Sequence, residues 1–301
     1  MNPREIVAKS WAITKGERQL RHWGYASSLL ETLLNVKLLI YQVWFLISYI
    51  EGDPIGFFTV EATLFEYVPL WFFITFVIGL IILICIEWLF PNMGKGAIIG
   101  LAAKSYQKEE VKGGLVLGIY NFFPIFAIHE FFFLSRISMV ITLISLLLRY
   151  GGGMAPVGIA IVIIAFLFSN ILRFFFVFSE EAVVIRKLGI GKALKASFKL
   201  VISYLGHVVF LMLLSLLISI RVFLNVLMVL LIPGIVIGIG FLLSLIFSQF
   251  LTIIIGLVLG LILVGLASYL FAYIEVFGQT VWTLTYIELS KLKELDVIEV
   301  K

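Results

Sequence analysis

The sequence has little charge and almost no cysteine. Only 13% of its 301 residues are charged and 62% are hydrophobic, whereas soluble domains average about 25% charged and about 45–50% apolar residues. A soluble fold of this length would leave large apolar patches exposed, so the composition excludes a water-soluble enzyme. The single cysteine, Cys85, excludes an intramolecular disulfide framework and a metal cluster built on several cysteines.

Sequence motifs for catalysis and metal binding are also lacking. No H-E-x-x-H, C-x-x-C, G-x-S-x-G or P-loop pattern occurs, and the three histidines are isolated from one another. The first 27 residues lack the uninterrupted apolar region and cleavage site of a signal peptide. We therefore expect a protein that is not an enzyme, has no cofactor and no metal, and does not bind nucleic acid.

Long apolar segments dominate what is present, and the mean hydropathy is +1.16. A transmembrane helix needs about 20 apolar residues. Six segments meet this requirement and predict an all-α integral membrane protein: 33–50, 68–90, 125–148, 156–179, 200–221 and 250–282. The apolar stretch 222–248 contains Pro233 and several glycines, and it is open to three interpretations: a seventh span, a broken re-entrant pair or a long outer helix.

The positions of lysine and arginine predict the orientation of these spans. Residues 1–27, 91–113, 180–199 and 291–301 hold five, four, five and three of the 22 basic residues, whereas 51–67 holds none. Short basic loops stay on the cytoplasmic side of a membrane. We therefore predict a cytoplasmic-membrane protein with both termini in the cytoplasm and six spans. Seven spans, the alternative, would place the C-terminus outside.

A weak internal repeat accompanies this pattern. Ser10, Ser105 and Ser197 each stand before an aromatic residue at the end of a stretch rich in lysine and alanine, at spacings of 95 and 92 residues. The spacing predicts three units within one transmembrane domain, each an amphipathic interfacial helix followed by a transmembrane hairpin. Their ranges are 1–90, 91–183 and 184–290. Chance similarity in a biased composition is the alternative.

The third interfacial element has the clearest amphipathic pattern. Five apolar residues approximate one helical stripe, and three lysines follow i, i+3, i+7 spacing on another face: Val184, Leu188, Leu194, Phe198 and Val201, then Lys192, Lys195 and Lys199. This pattern predicts a helix on the membrane surface whose lysines face anionic headgroups. The lysines are either a topology anchor or a dedicated headgroup-binding site.

The same segment resembles a known family. The run S-E-E-A-V-V at 179–184, followed by G-K-A-L-K-A-S-F-K-L-V at 191–201, is similar to a pattern in a largely uncharacterised prokaryotic group of polytopic membrane proteins. That group includes the membrane domain attached to some glycerophosphodiester phosphodiesterases, and the closing V-W-T-L-T-Y at 281–286 is similar too. The resemblance implies a six-span, non-catalytic module associated with lipid or envelope biology. It carries over no catalytic residue, because the soluble phosphodiesterase domain has no counterpart in this sequence.

Ionisable residues inside the predicted spans are the remaining candidates for a site, because each costs at least about 2.5–3.5 kcal/mol to insert. Six of them form the predicted intramembrane cluster: His129, Glu130, Arg136, Arg173, His207 and Glu275. We expect Arg173 to pair with Glu275, and Glu130 to pair with Arg136 or His207. Because Glu130 and Arg136 are six residues apart, a direct bond along one helix is not expected. Pro124 is predicted to break or kink that helix.

Two classes of function fit these features. In the first, the protein binds or moves a lipid or another amphiphile, or supports an envelope partner, either alone or as a homo-oligomer. In the second, it is a transporter or channel for a small solute, with the ionisable cluster lining the route. A lipid-sized groove opening sideways between spans would favour the first class, and a water-filled cavity at the cluster would favour the second.

Overall fold

A computed structural model describes residues 3–52, 65–66, 68–213 and 248–292, with short stretches between 231 and 245. Within these residues the chain is helical and contains no strand, which confirms the all-α prediction. The α-helices are α1 Pro3–Gly16, α2 Arg18–Ile50, α3 Leu70–Tyr106, α4 Gly114–Phe131, α5 Ile137–Tyr150, α6 Ala155–Phe175, α7 Ser179–Arg186, α8 Ile190–Ser203, α9 Leu205–Leu213 and α10 Gln249–Leu292. Short 3₁₀ turns cover Phe133–Ser135 and Gly152–Met154.

The long helices agree with most of the predicted spans. Five stretches are long and apolar enough to cross a membrane: Arg18–Ile50, Leu70–Tyr106, Gly114–Phe131, Gly152–Arg186 and Ile254–Leu292. A sixth is added if α8 and α9, which meet at 91°, count as one broken span. The protein is therefore a polytopic membrane protein. The predicted stretch 222–248 lies largely outside the described residues.

The predicted third span, 125–148, is wrong as one continuous helix. Helix α4 passes through Pro124 and ends at Phe131, and α5 begins at Ile137 after a 3₁₀ turn. The hydroxyl of Ser135 donates to the carbonyl oxygen of Phe132 at 2.7 Å, and Arg136 has an extended backbone. The chain thus breaks at 132–136 rather than at the proline, because this turn satisfies its own backbone groups.

The predicted interfacial helix over 184–201 is two helices. Lys187 ends α7 in the left-handed conformation, with φ 55°, and α8 follows three residues later. The Lys187 ammonium donates to Asn121 Oδ1 at 3.4 Å, and burial lowers the pKa of this ammonium. Helix α8 buries Ala193, Ser197, Leu200 and Val201, whereas Phe198, predicted on the apolar stripe, is 41% exposed.

Most of the fully buried residues in the described part of the chain lie at one end of the long helices. Residues 70–86 of α3 are mostly exposed apolar side chains, as expected for a helix that faces lipid, whereas residues 96–103 are buried. The buried part of α3 packs against α2 and α10 through Ile98 and Leu101 with Leu20 and Val276. A second core contains Phe178, Ala182, Ala193, Leu200 and Tyr286, from α7, α8, α10 and the residue before α7.

Hydrogen bonds bring two of the predicted basic segments, 1–27 and 91–113, together with the end of α10 at this densely packed end. Ser105 donates to Glu17 at 2.8 Å, and Tyr106 donates to Glu288 at 2.8 Å. The start of α2, the end of α3 and the end of α10 therefore lie together. If residues 1–27, 91–113 and the end of the last span are on the same side of the membrane, they must lie at the same end of the helices. The arrangement meets this requirement.

The three-unit repeat stays a prediction. Ser10 and Ser197 are fully buried, whereas Ser105 is half-buried and bonded to Glu17. The first and third interfacial elements are separate helices, α1 and α8. The second is the C-terminal part of α3 and continues directly from the preceding apolar span.

Glycine allows the closest helix approach in this packed end. A Cβ atom on Gly118 of α4 would lie 2.8 Å from the backbone oxygen of Met93 on α3, a contact that only backbone movement can relieve. We expect Gly118→Ala to lower the free energy of unfolding by about 1–3 kcal/mol, the usual cost of overpacking. Gly79→Ala is the matched control, because this α3 glycine has no neighbour within 4 Å. Thermal unfolding in one detergent compares the two, and equal melting temperatures would refute the close α3–α4 contact.

Candidate functional site

The predicted pair of Arg173 and Glu275 is wrong. Arg173 Nη1 donates to Ser135 Oγ at 3.0 Å, and Glu275 Oε2 accepts a hydrogen bond from Ser28 Oγ at 2.6 Å. The reason is the break between α4 and α5, which places Ser135 beside α6. Arg173 therefore binds the turn and not α10.

Glu130 is the centre of one polar group. Arg136 Nη2 contacts its two carboxylate oxygens at 3.1 and 3.0 Å, and Trp88 Nε1 donates to it at 3.3 Å. His129 Nδ1 lies 3.5 Å from the same carboxylate. Arg136 was one of two predicted partners, but the expectation that it would not bond directly was wrong. The two residues do not share a helix, because α4 ends at Phe131 and a 3₁₀ turn separates it from α5.

The predicted cluster of six is thus divided. His129, Glu130 and Arg136 lie together, and Arg173 joins them through Ser135. Glu275 belongs to a separate contact between α2 and α10. His207 lies half-buried in α9 and makes no hydrogen bond or ion pair with any other described residue.

Two further polar contacts were not predicted. Lys37 of α2 forms an ion pair with Glu87 of α3, whose side chain is fully buried. Glu181 of α7 accepts a hydrogen bond from Gln279 Nε2 of α10 at 2.9 Å. A sequence signal existed for the first, since Lys37 is the one charged residue in the predicted span 33–50 and Glu87 is the one in 68–90.

The lysines of α8 occupy the side away from the core. Lys192 and Lys195 are exposed and Lys199 is half-buried. Ser197, on the buried face, accepts a hydrogen bond from the Phe178 amide at 3.0 Å and donates to the Phe175 carbonyl at 3.2 Å. These two bonds fix α8 against the α6–α7 junction, so the serine of this motif has a structural role.

A groove lies between α2 and α10. Its volume is about 650 Å³. Four side chains of α2 at successive turns line one wall, and six residues of α10 line the other: Arg18, Arg21, His22 and Tyr25, then Ile262, Gly265, Leu266, Tyr269, Ala272 and Tyr273. Because its lining residues come from these two helices, the groove runs along the junction between two spans.

One end of the groove is cationic. Arg18 Nε donates to His22 Nε2 at 3.4 Å, and an Arg21 guanidinium nitrogen donates to the carbonyl oxygen of Lys15. Arg18 and His22 are exposed. Two guanidinium groups and an imidazole are therefore presented within one turn and a half of α2.

The middle of the groove is aromatic and the far end is apolar. Tyr269 stacks edge-on with Tyr25 and Tyr273, at centroid distances of 6.3 and 5.3 Å. Beyond the tyrosines, Ile262 and Leu266 are 54% and 61% exposed. The groove thus changes from charged through amphipathic to apolar along its length, as a lipid does.

Comparison with known proteins adds no relative: no family model matches the chain, and no curated protein or solved structure is significantly similar to it. Among the described residues, no three His, Cys, Asp or Glu side chains are grouped so that they could hold a metal ion. The geometry of the polytopic fold is therefore the basis for a functional assignment.

Proposed function

We propose that this protein binds an anionic amphiphile, a lipid with a phosphate-containing headgroup, in the groove between α2 and α10. The observation that carries the proposal is the order of side chains along the groove, from guanidinium through tyrosine to isoleucine and leucine. The proposed location is the cytoplasmic membrane with both termini in the cytoplasm, in agreement with the positions of the basic residues.

The cationic end suits a phosphate group. Arginine presents planar donors that match phosphate oxygens in pairs, and it is less strongly hydrated than lysine. A half-buried Arg21 beside an exposed Arg18 offers such donors from one helix face. The three tyrosines nearby are residues that favour the level of the headgroups, because each has an apolar ring and a polar hydroxyl.

The apolar end suits an acyl chain. Ile262 and Leu266 are exposed on α10, within the span Ile254–Leu292. Gly265 lies between them in the sequence, and a Cβ atom there would be 3.8 Å from the Tyr25 hydroxyl. A chain lying along this wall would cover apolar surface that otherwise faces bulk lipid.

Helix α8 supports the same class of function. Its angle of 91° to α9 is the geometry of a helix lying along the membrane surface beside a span. Lys195, on the exposed side, would attract anionic headgroups by about 1 kcal/mol per cation near the surface. The resemblance of residues 179–201 to the membrane domain of glycerophosphodiester phosphodiesterases is in line with this role, and we propose a non-catalytic module that acts alone, as a homo-oligomer or with an envelope partner.

The solute-transporter alternative has less support. A solute route lined by Glu130, Arg136 and Arg173 would need unpaired charges along its wall, but Glu130 is paired with Arg136 and Arg173 is bonded to Ser135. Their mutual pairing favours a structural role for this group.

The proposal predicts the effect of removing the two guanidinium groups. Arg18→Gln/Arg21→Gln removes two cations, each contributing about 1 kcal/mol, so we expect affinity for phosphatidic acid to fall about 30-fold. Native mass spectrometry of the purified protein, titrated with phosphatidic acid and with phosphatidylcholine, measures this change.

Two matched variants sharpen that experiment. Lys192→Gln/Lys195→Gln removes two cations from α8, outside the groove. It should leave the affinity of the groove for phosphatidic acid unchanged. Leu266→Trp fills the apolar end without altering charge and should weaken phosphatidic acid as well as phosphatidylcholine. Equal affinity of the double arginine variant and the unmodified protein for phosphatidic acid would exclude the groove as the headgroup site.

A further inference from the structure

A second polar centre lies inside the packed end of the molecule, where α2, α3, α7 and α10 meet. Its members are five side chains, called here the Lys95 cluster: Ser28, Lys95, Glu181, Glu275 and Gln279. The Glu181 carboxylate accepts from Gln279 and the Glu275 carboxylate accepts from Ser28. Lys95 acts electrostatically on both carboxylates.

The packing of α3 explains why Lys95 points into this centre. Ile98, three residues later, packs with Val276 of α10, and Ile99, four residues later, packs with Val184 of α7. Residues three and four apart share a helix face. The side chain of Lys95 therefore leaves α3 between α7 and α10, the helices that hold Glu181 and Glu275.

Each carboxylate in the cluster is only half satisfied. Oε2 of Glu181 and Oε1 of Glu275 are buried and have no hydrogen-bond donor among the described residues. Glu181 as a whole is 1% exposed. Lys95 makes no hydrogen bond or ion pair within the described part of the chain, so its ammonium neutralises at most one of the two negative charges through space.

The surrounding charges add to the negative excess. Glu31 of α2 acts on Glu275, and Glu180 of α7 acts on Glu181. From α4, His129 is the titratable group that senses Lys95, and it lies beside Glu130. Lys95 is thus one cation facing the buried carboxylate of Glu181 and the half-buried carboxylate of Glu275, with two more carboxylates nearby. A buried negative charge without a partner is costly.

We propose that the Lys95 cluster is an interior proton-binding site, in which Glu181 and Glu275 together hold one exchangeable proton. The proton is taken from hydronium in water, bonds to a carboxylate oxygen that lacks a donor, and returns to water on release. With one proton bound, the cluster contains one carboxylic acid, one carboxylate and one ammonium, and it is neutral. This site does not depend on the proposed lipid groove.

The position of the cluster relates it to the groove. Ser28 is three residues from Tyr25, and Glu275 is three residues from Ala272, and both of these neighbours line the groove. The Ser28 hydroxyl donates its hydrogen bond to Glu275 Oε2. A proton on Glu275 would turn this acceptor from a carboxylate into a neutral carboxyl group. Proton binding would thereby alter the contact between the two helices that form the groove walls.

Infrared difference spectroscopy of the full chain in lipid nanodiscs tests the site. A protonated carboxyl group has a C=O stretching band separate from that of carboxylate, and this band shifts in D₂O if the proton exchanges. We expect the band in the unmodified protein at neutral pH and its loss at high pH. Absence of the band at neutral pH would overturn the proposal, whatever the behaviour of any variant.

Variants then assign the proton. Glu181→Gln and Glu275→Gln each leave one carboxylate facing Lys95, so each should abolish the band. Lys95→Met removes the cation, which favours a second proton, and should raise the band about twofold. Glu130→Gln is the control and should leave it unchanged, because Glu130 is paired with Arg136. A band that persists in both single glutamine variants would place the proton elsewhere and overturn the proposal.

Discussion

We expect Lys37→Leu to lower the free energy of unfolding by about 3–5 kcal/mol, because it leaves the carboxylate of Glu87 buried without a cation. The Glu87 side chain has no exposed surface, and its second oxygen already lacks a hydrogen-bond donor among the described residues. Among the described residues, Lys37 is the cation that forms an ion pair with this carboxylate. We expect the largest single loss of stability from this variant.

A double variant distinguishes the loss of an ion pair from the loss of side-chain packing as the cause of this destabilisation. Lys37→Leu/Glu87→Leu removes both charges, and replacement of a whole buried pair by apolar residues is often neutral or stabilising. We therefore expect the double variant to unfold within about 1 kcal/mol of the unmodified protein. Lys112→Leu is the control, since Lys112 and its partner Glu110 are both exposed, and its effect should stay below about 1 kcal/mol. Reversible unfolding in mixed micelles measures all four proteins, and equal losses in the single and double Lys37 variants would disprove the pairing.

Arg136→Leu has the second largest expected effect. It removes two charge-assisted contacts to Glu130, which are worth about 1.5–3 kcal/mol, and it releases the turn between α4 and α5. Spin labels on α4 and α5 should report a broader distribution of distances by electron paramagnetic resonance. Arg136→Lys keeps the charge but loses the paired geometry, so an intermediate effect is expected.

A double variant that also removes the charge of Glu130 is the control for Arg136→Leu. Glu130→Gln/Arg136→Leu removes the stranded charge and should recover part of the stability lost in Arg136→Leu, but it should keep the broad distance distribution. If Arg136→Leu alone leaves the distribution as narrow as in the unmodified protein, the ion pair does not hold the turn.

Hydropathy predicted the long helices well, because membrane thickness sets the length of an apolar span. The segments 33–50 and 250–282 lie inside α2 and α10, and 68–90 coincides with α3 except for its first two residues. Hydropathy does not show where a helix ends or bends within an apolar stretch. The break at 132–136 was missed for that reason, although Arg136 in the middle of the predicted span was a signal that the helix stops there.

Partners across helices could not be derived from sequence spacing. Glu130 was expected to need a partner on another helix, but the turn after Phe131 let Arg136 reach it. Arg173 and Glu275 had suitable charges and depths, yet Ser135 and Ser28 lie closer to them. Which side chains meet depends on which helices are neighbours, and residue spacing within one sequence does not show this.

The groove, too, could be predicted only in part from the sequence. Arg18 and Arg21 were interpreted as topology signals alone, although Arg18, Arg21, His22 and Tyr25 follow the spacing of one helix face. The other wall comes from α10, more than two hundred residues later in the chain. The face of α2 was visible in the sequence, but its apposition to α10 was not.

Photo-crosslinking with a diazirine-labelled phosphatidic acid, followed by peptide mass spectrometry, tests the lipid site most directly. The molecule contains its own comparison, an apolar hollow of about 390 Å³ on α3 lined by Phe72, Phe76 and Leu80 among others and by no charged residue. We expect labelling to be concentrated on the α2 and α10 peptides that contain Tyr25 and Tyr269, and to be reduced by unlabelled phosphatidic acid. Labelling of the α3 hollow equal to that of the groove, with no competition at either, would contradict it.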